Sequence, residues 1–257
     1  MRVGSTRRAR VRAQHAALLR ALTEGGARLL ELPFVPGCYD SVFMKDPALL
    51  ARRPDGRMAA LLARPRHAQR AEEVVARRAQ LEAAGFEVDE CASHLEGGDV
   101  VRVGERYLLG HGFRSDPAAA RAIERFSGRE VTAIELIDEA FYHLDTAVAH
   151  LSGGELLVAE GALRPSDVER LAALEEVSHV EVIPRDEAMA FATNLVQLGD
   201  RVILAAGARR TLATLASWGY RPVPVELDQF LAAGGSAACL VAEIHALEAT
   251  QLRAVAA

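Results

Sequence analysis

This 257-residue chain has few cysteines, no long apolar run and no concentration of basic charge. Cys38, Cys91 and Cys239 are odd in number and show no metal-ligand spacing. That argues against a disulfide framework and for reduced thiols in a cytoplasmic protein. No apolar stretch is long enough to span a bilayer, so no membrane partner is expected. The N-terminus is rich in arginine but has no apolar segment behind it, so it does not read as a secretory signal. The net charge is −5 and the basic residues are dispersed, which argues against a nucleic acid partner. The cluster Arg7, Arg8, Arg10 and Arg12 is the exception, and it reads as a solvated helix face or a frayed terminus. Low-complexity segments and long linkers are also missing, so residues 1–257 are expected to form a single domain.

What the chain does have is hydrophobic residues, at half of its length, and a repeat. The composition suffices for a substantial core. Four similar apolar segments begin at Arg57, Arg106, Glu155 and Arg201, which is 49, 49 and 46 residues apart. Periods of this size mark repeat and propeller architectures. Each full unit reads strand, turn, strand, helix, strand. The first runs Ser41 to Leu50, a turn at Pro54 to Gly56, Met58 to Ala63, a helix over Ala68 to Ala84 ended by Gly85, and Phe86 to Glu90. The second has strands at Asp99 to Val103, Tyr107 to Gly110 and Val131 to Leu136 around a helix from Asp116 to Phe126. The third has Ala147 to Leu151, Leu156 to Ala159 and Val180 to Ile183, with a helix from Ser166 to Val177 opened by a Ser166/Glu169 capping box. The fourth has Leu195 to Leu198, Val202 to Ala205 and Arg221 to Leu227 around a helix from Thr211 to Trp218. A fifth unit is expected to be split between the termini. Cys239 to Ile244 supplies its first strand; the helix Arg7 to Thr23 and the strand Ala27 to Leu32 supply the rest, with a short strand left for Met1 to Ser5. Pairing of the two ends would close a ring and bury their edges.

The first strand of each unit opens on reactive side chains: Asp40 and Asp46, Glu96 and Asp99, His143 and Asp145, Asn194, then Cys239. Cys239 follows Gly234, Gly235 and Ser236, small residues that let a ligand approach the backbone. An isolated cysteine is more often an inert buried one; the glycine-rich approach and the presence of His143 weigh toward a nucleophile. His143 would be the general acid and base, against the commoner reading of a core histidine. Glu96 would orient and charge that imidazole, or else be a turn carboxylate. Asp40, Asp46 and Asp145 suit a planar cation, because paired carboxylates match a guanidinium by bidentate hydrogen bonding. On a strand, Asp145 would face the same side as His143. Asp46, preceding Pro47, could equally make a turn. Arg70 and Arg114 follow the second strands of successive units and would clamp a substrate carboxylate, or else be surface arginines.

Taken together and in order, the stretches Asp40 to Pro47, Glu96 to Asp99, Phe141 to Thr146 and Gly234 to Leu240 resemble the guanidino-group-modifying enzymes, which share the pentein fold. The resemblance is to dimethylarginine dimethylaminohydrolases, arginine deiminases and amidinotransferases. It implies an α/β fold, a five-bladed propeller of pseudo-five-fold ββαβ repeats with the first blade completed by both termini. It implies Cys239 as nucleophile, His143 as general acid/base and Glu96 as its partner. It further implies Asp46, Asp40, Asp145 and Phe43 around the guanidinium, and Arg70 and Arg114 on the amino-acid carboxylate. Asp145 matches the deiminase and amidinotransferase pattern, in which a second aspartate grips the guanidinium. The implied reaction is hydrolysis of a guanidino C–N bond, arginine or a substituted arginine giving citrulline and an amine through a covalent thiouronium. No metal or organic cofactor is expected. The expected partner is a small guanidino substrate, with a homodimer as the assembly considered. An amidinotransferase or an arginine deiminase acting on a related guanidino substrate is the enzymatic alternative, and an arginine-binding scaffold is the non-enzymatic one.

Overall fold

The computed structural model describes residues 6–246. In chain order the helix α1 (Arg8–Glu24) is followed by strands β1 (Ala48–Arg52) and β2 (Met58–Leu62), α2 (Ala71–Ala83) and β3 (Phe86–Glu90). Then come β4 (Val100–Val103), β5 (Arg106–His111), α3 (Ala120–Ser127) and β6 (Val131–Glu135). A third set comprises β7 (Val148–His150), β8 (Glu155–Ala159), α4 (Pro165–Ala172), β9 (His179–Ile183) and the one-turn α5 (Arg185–Ala188). The fourth comprises β10 (Val196–Leu198), β11 (Arg201–Ala205), α6 (Arg209–Ser217) and β12 (Arg221–Val225), before α7 (Asp228–Ala233) and β13 (Ile244–Ala246).

The repeat is real at the level of these sets. In each, the first two strands form an antiparallel hairpin and the third, reached through a helix, pairs parallel to the second. A parallel pair needs such a crossover. The middle strands β2, β5, β8 and β11 are almost wholly buried, as strands covered on both faces must be. The chain is a mixed α/β protein. Among the described residues no helix is long and apolar enough to cross a membrane.

The chain divides into two compact units. One comprises Leu32–Leu144 with the described residues from Val241 on, and carries β1 to β6, α2, α3 and β13. Its sheet of β1, β2 and β3 separates two apolar clusters. Leu49, Ala51, Ala59 and Leu61 pack on one side with Tyr107, Leu109, Ile123 and Phe126. Ala48, Leu50, Ala60 and Leu62 pack on the other with Leu81 and Phe86. Alternate residues thus enter opposite clusters, the period-two rule of a strand. The other unit comprises the described residues up to Glu31 with Asp145–Leu240, and carries α1, β7 to β12 and α4 to α7.

Several expectations need correction. The split fifth unit does not form its strands: Ala27 to Leu32 joins no ladder, and Cys239 lies in a turn. Gly234 adopts φ 106°, and the Leu240 N–H closes back on the Ser236 carbonyl at 3.2 Å, so the segment coils instead of extending. β13 instead adds in parallel to β1, pairing Leu50 with Ile244. The strand considered at Met1 to Ser5 lies outside the described residues. The Ser166/Glu169 capping box is absent: α4 begins one residue earlier on Pro165, with Arg164 at the N-cap and no capping bond from its side chain. The reactive residues also do not sit on strands. Asp40 lies in the 3-10 turn Tyr39–Val42, Asp99 in Gly97–Asp99 and Asp145 in Leu144–Thr146. The same-face argument for His143 and Asp145 therefore does not apply.

Candidate active site

Within the unit of Leu32–Leu144, the turns that lead into β1, β4 and β7 hold a buried cluster of charge. His143 Nε2 lies 3.0 Å from Glu96 Oε2, and His143 Nδ1 lies 3.5 Å from Asp46 Oδ1. All three side chains are buried. Their approach depends on two glycines. The Gly97 N–H donates to the Asp46 carbonyl at 2.9 Å, and a Cβ on Gly97 would fall 2.0 Å from the Lys45 carbonyl oxygen. A Cβ on Gly98 would fall 2.6 Å from His143 Nδ1 and 2.7 Å from Asp46 Oδ1. Only glycine lets the Glu96 loop lie flat against both partners.

The loops are tied down from below by Asp99, which is fully buried. Its carboxylate accepts from the Leu144 N–H and the Ser115 N–H, both at 3.1 Å. The Ser115 hydroxyl accepts from the Glu96 N–H at 3.0 Å. Asp99 thus fixes the backbone beside both Glu96 and His143. Burial pushes its carboxyl up to about 7, against His143 and the hydrogen bonds, which pull it down.

Electrostatics sets the proton on His143. Burial alone would lower the imidazole; the charge of Asp46, the bond to Glu96 and the charge of Asp99 overcome it and raise the pKa to about 9. Burial alone would raise Glu96; the bond and charge of His143, with Arg114 and Arg70, bring it down to about 2. The pair is therefore an imidazolium held against a carboxylate at neutral pH.

Arg70 departs from its expected role. It is buried, and its guanidinium is engaged inside the protein: Nη1 meets Asp46 Oδ2 at 2.6 Å, while Nε and Nη2 grip the Glu73 carboxylate at 3.1 and 3.0 Å. Nη1 also lies 3.8 Å from Glu96 Oε2, and Nη2 reaches the Asp40 carbonyl at 3.4 Å. Arg114 is nearer the surface. Its guanidinium stacks over the Tyr142 ring at 4.9 Å and lies 3.5 Å from Glu96 Oε2. Phe43 is buried and Asp40 half-buried. Their turn is closed by the Phe43 N–H on the Asp40 carbonyl at 2.9 Å. Sequence reasoning missed Glu73, whose only signal was its spacing of three from Arg70 on a helix, and Ser115.

Asp46, Glu96 and His143 each offer a ligand atom within 4.8 Å of one another, close enough to hold a metal ion. His143 Nε2 is engaged with Glu96 and the imidazole is held protonated, so a metal ion there would first have to displace its proton. The arrangement suits proton handling better than metal binding.

The unit of Asp145–Leu240 holds the thiol. Cys239 is buried; its N–H donates to Asn194 Oδ1 at 3.1 Å, and its sulfur lies 3.1 Å from Asn194 Nδ2 and 3.8 Å from Asp145 Oδ2. Asp145 is buried as well. Asn194 was singled out by its place in the repeat, without a role.

Comparison with known proteins accords with this chemistry. Residues 41–209 match the family described as arginine deiminase. The chain belongs to the arginine deiminase family. That family match covers the turns bearing Asp46, Glu96, His143, Asp145 and Asn194. The chain is 36% identical over 187 residues to N(G),N(G)-dimethylarginine dimethylaminohydrolase of Mycobacterium tuberculosis, a match covering 72% of this chain and 61% of that protein. The chain thus spans about three fifths of that relative's length. Among solved structures it is similar to the N-terminal domain of ArgZ, a cyanobacterial arginine dihydrolase crystallised as a cysteine-to-serine mutant with substrate. The TM-score is 0.85 at 29% identity, covering 95% of this chain and 90% of that one. It is also similar to a cysteine-to-serine mutant of the dimethylarginine dimethylaminohydrolase of Pseudomonas aeruginosa with citrulline. There the TM-score is 0.76 at 27% identity, covering 93% and 90% of the two chains.

Proposed function

We propose that this arginine deiminase family member is a cysteine-dependent hydrolase of a guanidino C–N bond. Its substrate would be arginine or an N-substituted arginine, and its products citrulline and ammonia or an amine. The observation that carries the reading is the buried imidazolium of His143, held by Glu96 at 3.0 Å and protonated to about pH 9. A guanidinium is resonance-stabilised, and its nitrogen leaves only with a proton. A buried acid that stays charged at neutral pH meets the second requirement. A thiolate nucleophile meets the first.

In the proposed reaction the Cys239 thiolate adds to the guanidino carbon. The C–N bond to the departing nitrogen breaks as that nitrogen takes a proton from His143, leaving a cationic S-alkylthiouronium. Water then gives a proton back to His143 and adds its oxygen to the same carbon. The C–S bond breaks as the added hydroxyl gives its proton to solvent or to the departed amine, and the neutral ureido product departs from the regenerated thiolate. Asp46 receives the guanidinium through Oδ1, which accepts no hydrogen bond from the described residues. Asp145 is the second acidic contact, with Asp40 and Phe43 in the turn beside Asp46. The committed guanidinium of Arg70 leaves the substrate's carboxylate to Arg114 and to its half-exposed neighbour Arg66, whose Nε donates to the Arg114 carbonyl at 3.3 Å. The five-bladed closure and a single catalytic domain over 1–257 belong to the same proposal. So does a cytoplasmic setting, which three cysteines outside any disulfide fit.

A second reading has a specific support. Asp145 beside the sulfur would put a carboxylate where a methylated guanidine carries its methyl groups, which favours unsubstituted arginine. Incubation with arginine, methylated arginines and agmatine, followed by product identification, tests both. A ureido product identifies the hydrolase and ranks its substrates. A new guanidino compound, formed only with an amine acceptor, would make it an amidinotransferase. Binding without turnover would make it a scaffold. Cys239→Ser should lower turnover by at least about a thousandfold with the fold retained, and retained activity would remove the covalent step.

A further inference from the structure

We infer that Asn194 is a positioning residue for the Cys239 thiol and that its side-chain amide donates a hydrogen bond to the sulfur. This deepens the hydrolase reading and rests on it. Three of the amide's four hydrogen-bonding directions converge on two residues. Oδ1 accepts the Cys239 N–H at 3.1 Å; one Nδ2 hydrogen goes to the Asp145 carbonyl at 3.3 Å and the other to Cys239 Sγ at 3.1 Å. A flipped amide would set oxygen against the Asp145 carbonyl and nitrogen against a donor, so the network itself fixes which atom faces the sulfur. Asn194 is fully buried, where an amide held for no purpose would be costly.

The backbone that carries Asn194 adds an independent sign. Phe191, three residues earlier, has φ 63° and is the one non-glycine residue with positive φ among the described residues. Its carbonyl accepts the Asn194 N–H at 3.1 Å. A bulky residue in the left-handed region is strained, and strain of this kind persists where the surroundings enforce it. Glu187 anchors the preceding turn: its carboxylate accepts the Arg210 and Thr211 N–H groups, both at 2.9 Å. The turn is thus clamped to the start of α6, and Asn194 emerges from it aimed at Cys239.

An amide N–H on sulfur favours the thiolate over the thiol. One charged group beside the sulfur is Asp145, 3.8 Å away, and it opposes the thiolate. His143 is the imidazole that the proposed reaction pairs with the same sulfur. Asn194 therefore works with the imidazolium and against the carboxylate, and it fixes the sulfur's direction by holding the backbone on which the thiol is mounted.

The test is the pH profile of Cys239 alkylation by iodoacetamide in the full chain, mapped by peptide mass spectrometry to separate it from Cys38 and Cys91. Wild type, Asn194→Ala and Asn194→Asp are compared, each checked for folding by circular dichroism. Loss of one hydrogen bond to a charged group should raise the alkylation midpoint by about one pH unit in Asn194→Ala. The rise should be larger in Asn194→Asp, which puts negative charge at the sulfur. Turnover should fall with KM nearly unchanged. A role confined to turn structure would lower thermal stability and leave the midpoint in place, and an unshifted midpoint in either folded variant overturns the inference. If Asn194→Ala does not fold, the near-isosteric Asn194→Asp decides alone. Failure of the hydrolase reading looks different: no ureido product from any guanidine, whatever the wild-type thiol does.

Discussion

Arg70 holds Asp46 by one oxygen and leaves the other without a hydrogen bond from the described residues. Nη1 meets Oδ2 at 2.6 Å, and Oδ1 lies 3.5 Å from the imidazole Nδ1. The residue expected to grip substrate directly is instead the one that orients the carboxylate proposed to do so. Burial lowers its pKa, but Asp46, Glu73 and Glu96 more than reverse this, so the guanidinium stays charged.

Replacing Arg70 therefore separates charge from geometry. Arg70→Ala strands Asp46 and Glu73 in the interior, and breaking a buried pair from one side costs about 3 to 5 kcal/mol, readable as a lower melting temperature. Arg70→Lys keeps a cation but cannot fork across two carboxylates. It should fold, and it should raise KM for a guanidine substrate more than it lowers kcat. Wild-type KM in Arg70→Lys would show that Asp46 needs no such orientation.

Glu96 should set the alkaline edge of activity. His143 has its pKa raised to about 9, so its acid form is present below that value and is lost as pH rises through it. Removing the bond and charge of Glu96 lowers the imidazole pKa. In Glu96→Gln the descending limb of kcat/KM should move to lower pH, and activity at neutral pH should fall. The same shift bears on stability. A raised imidazole contributes fully below its unfolded value of about 6.5 and stops contributing above about 9, so the wild type should lose thermal stability across that window. An alkaline limb unmoved by Glu96→Gln would place the titrating group elsewhere.

Gly98→Ala tests the close approach with one methyl group. Its Cβ would sit 2.6 Å from His143 Nδ1 and 2.7 Å from Asp46 Oδ1, so one of them must move. Turnover should fall by at least about tenfold, since small misplacements of reacting groups are costly. Far-ultraviolet circular dichroism should be unchanged. Full activity in this variant would mean that the His143–Asp46 approach is not needed for catalysis.

The repeat and most strands were legible because both are written locally. The near-continuous apolar runs Met58–Leu62 and Arg201–Ala205 mark strands buried on both faces, and their spacing exposes the ββαβ order. Phe86–Glu90 appears at the expected bounds. The termini were misread because Ala27 to Leu32 and Cys239 to Glu243 have strand-like composition but join no ladder among the described residues, the pairing with β1 starting only at Ile244, and pairing is not a local property.

The sequence by itself determined the inventory: which thiol, imidazole and carboxylates the chain owns, their order, and their place before the first strand of each repeat. Tertiary structure decided how those groups are used. It put them in turns instead of on strands, and it made Gly97 and Gly98 the means of approach between Glu96, Asp46 and His143. It turned Arg70 inward onto Asp46 and Glu73, and it brought Asn194, 45 residues away in the chain, onto Cys239. The reason is physical. Residue type fixes what a side chain can donate, accept or hold as charge, whereas burial and the neighbours met on folding fix which of those it does.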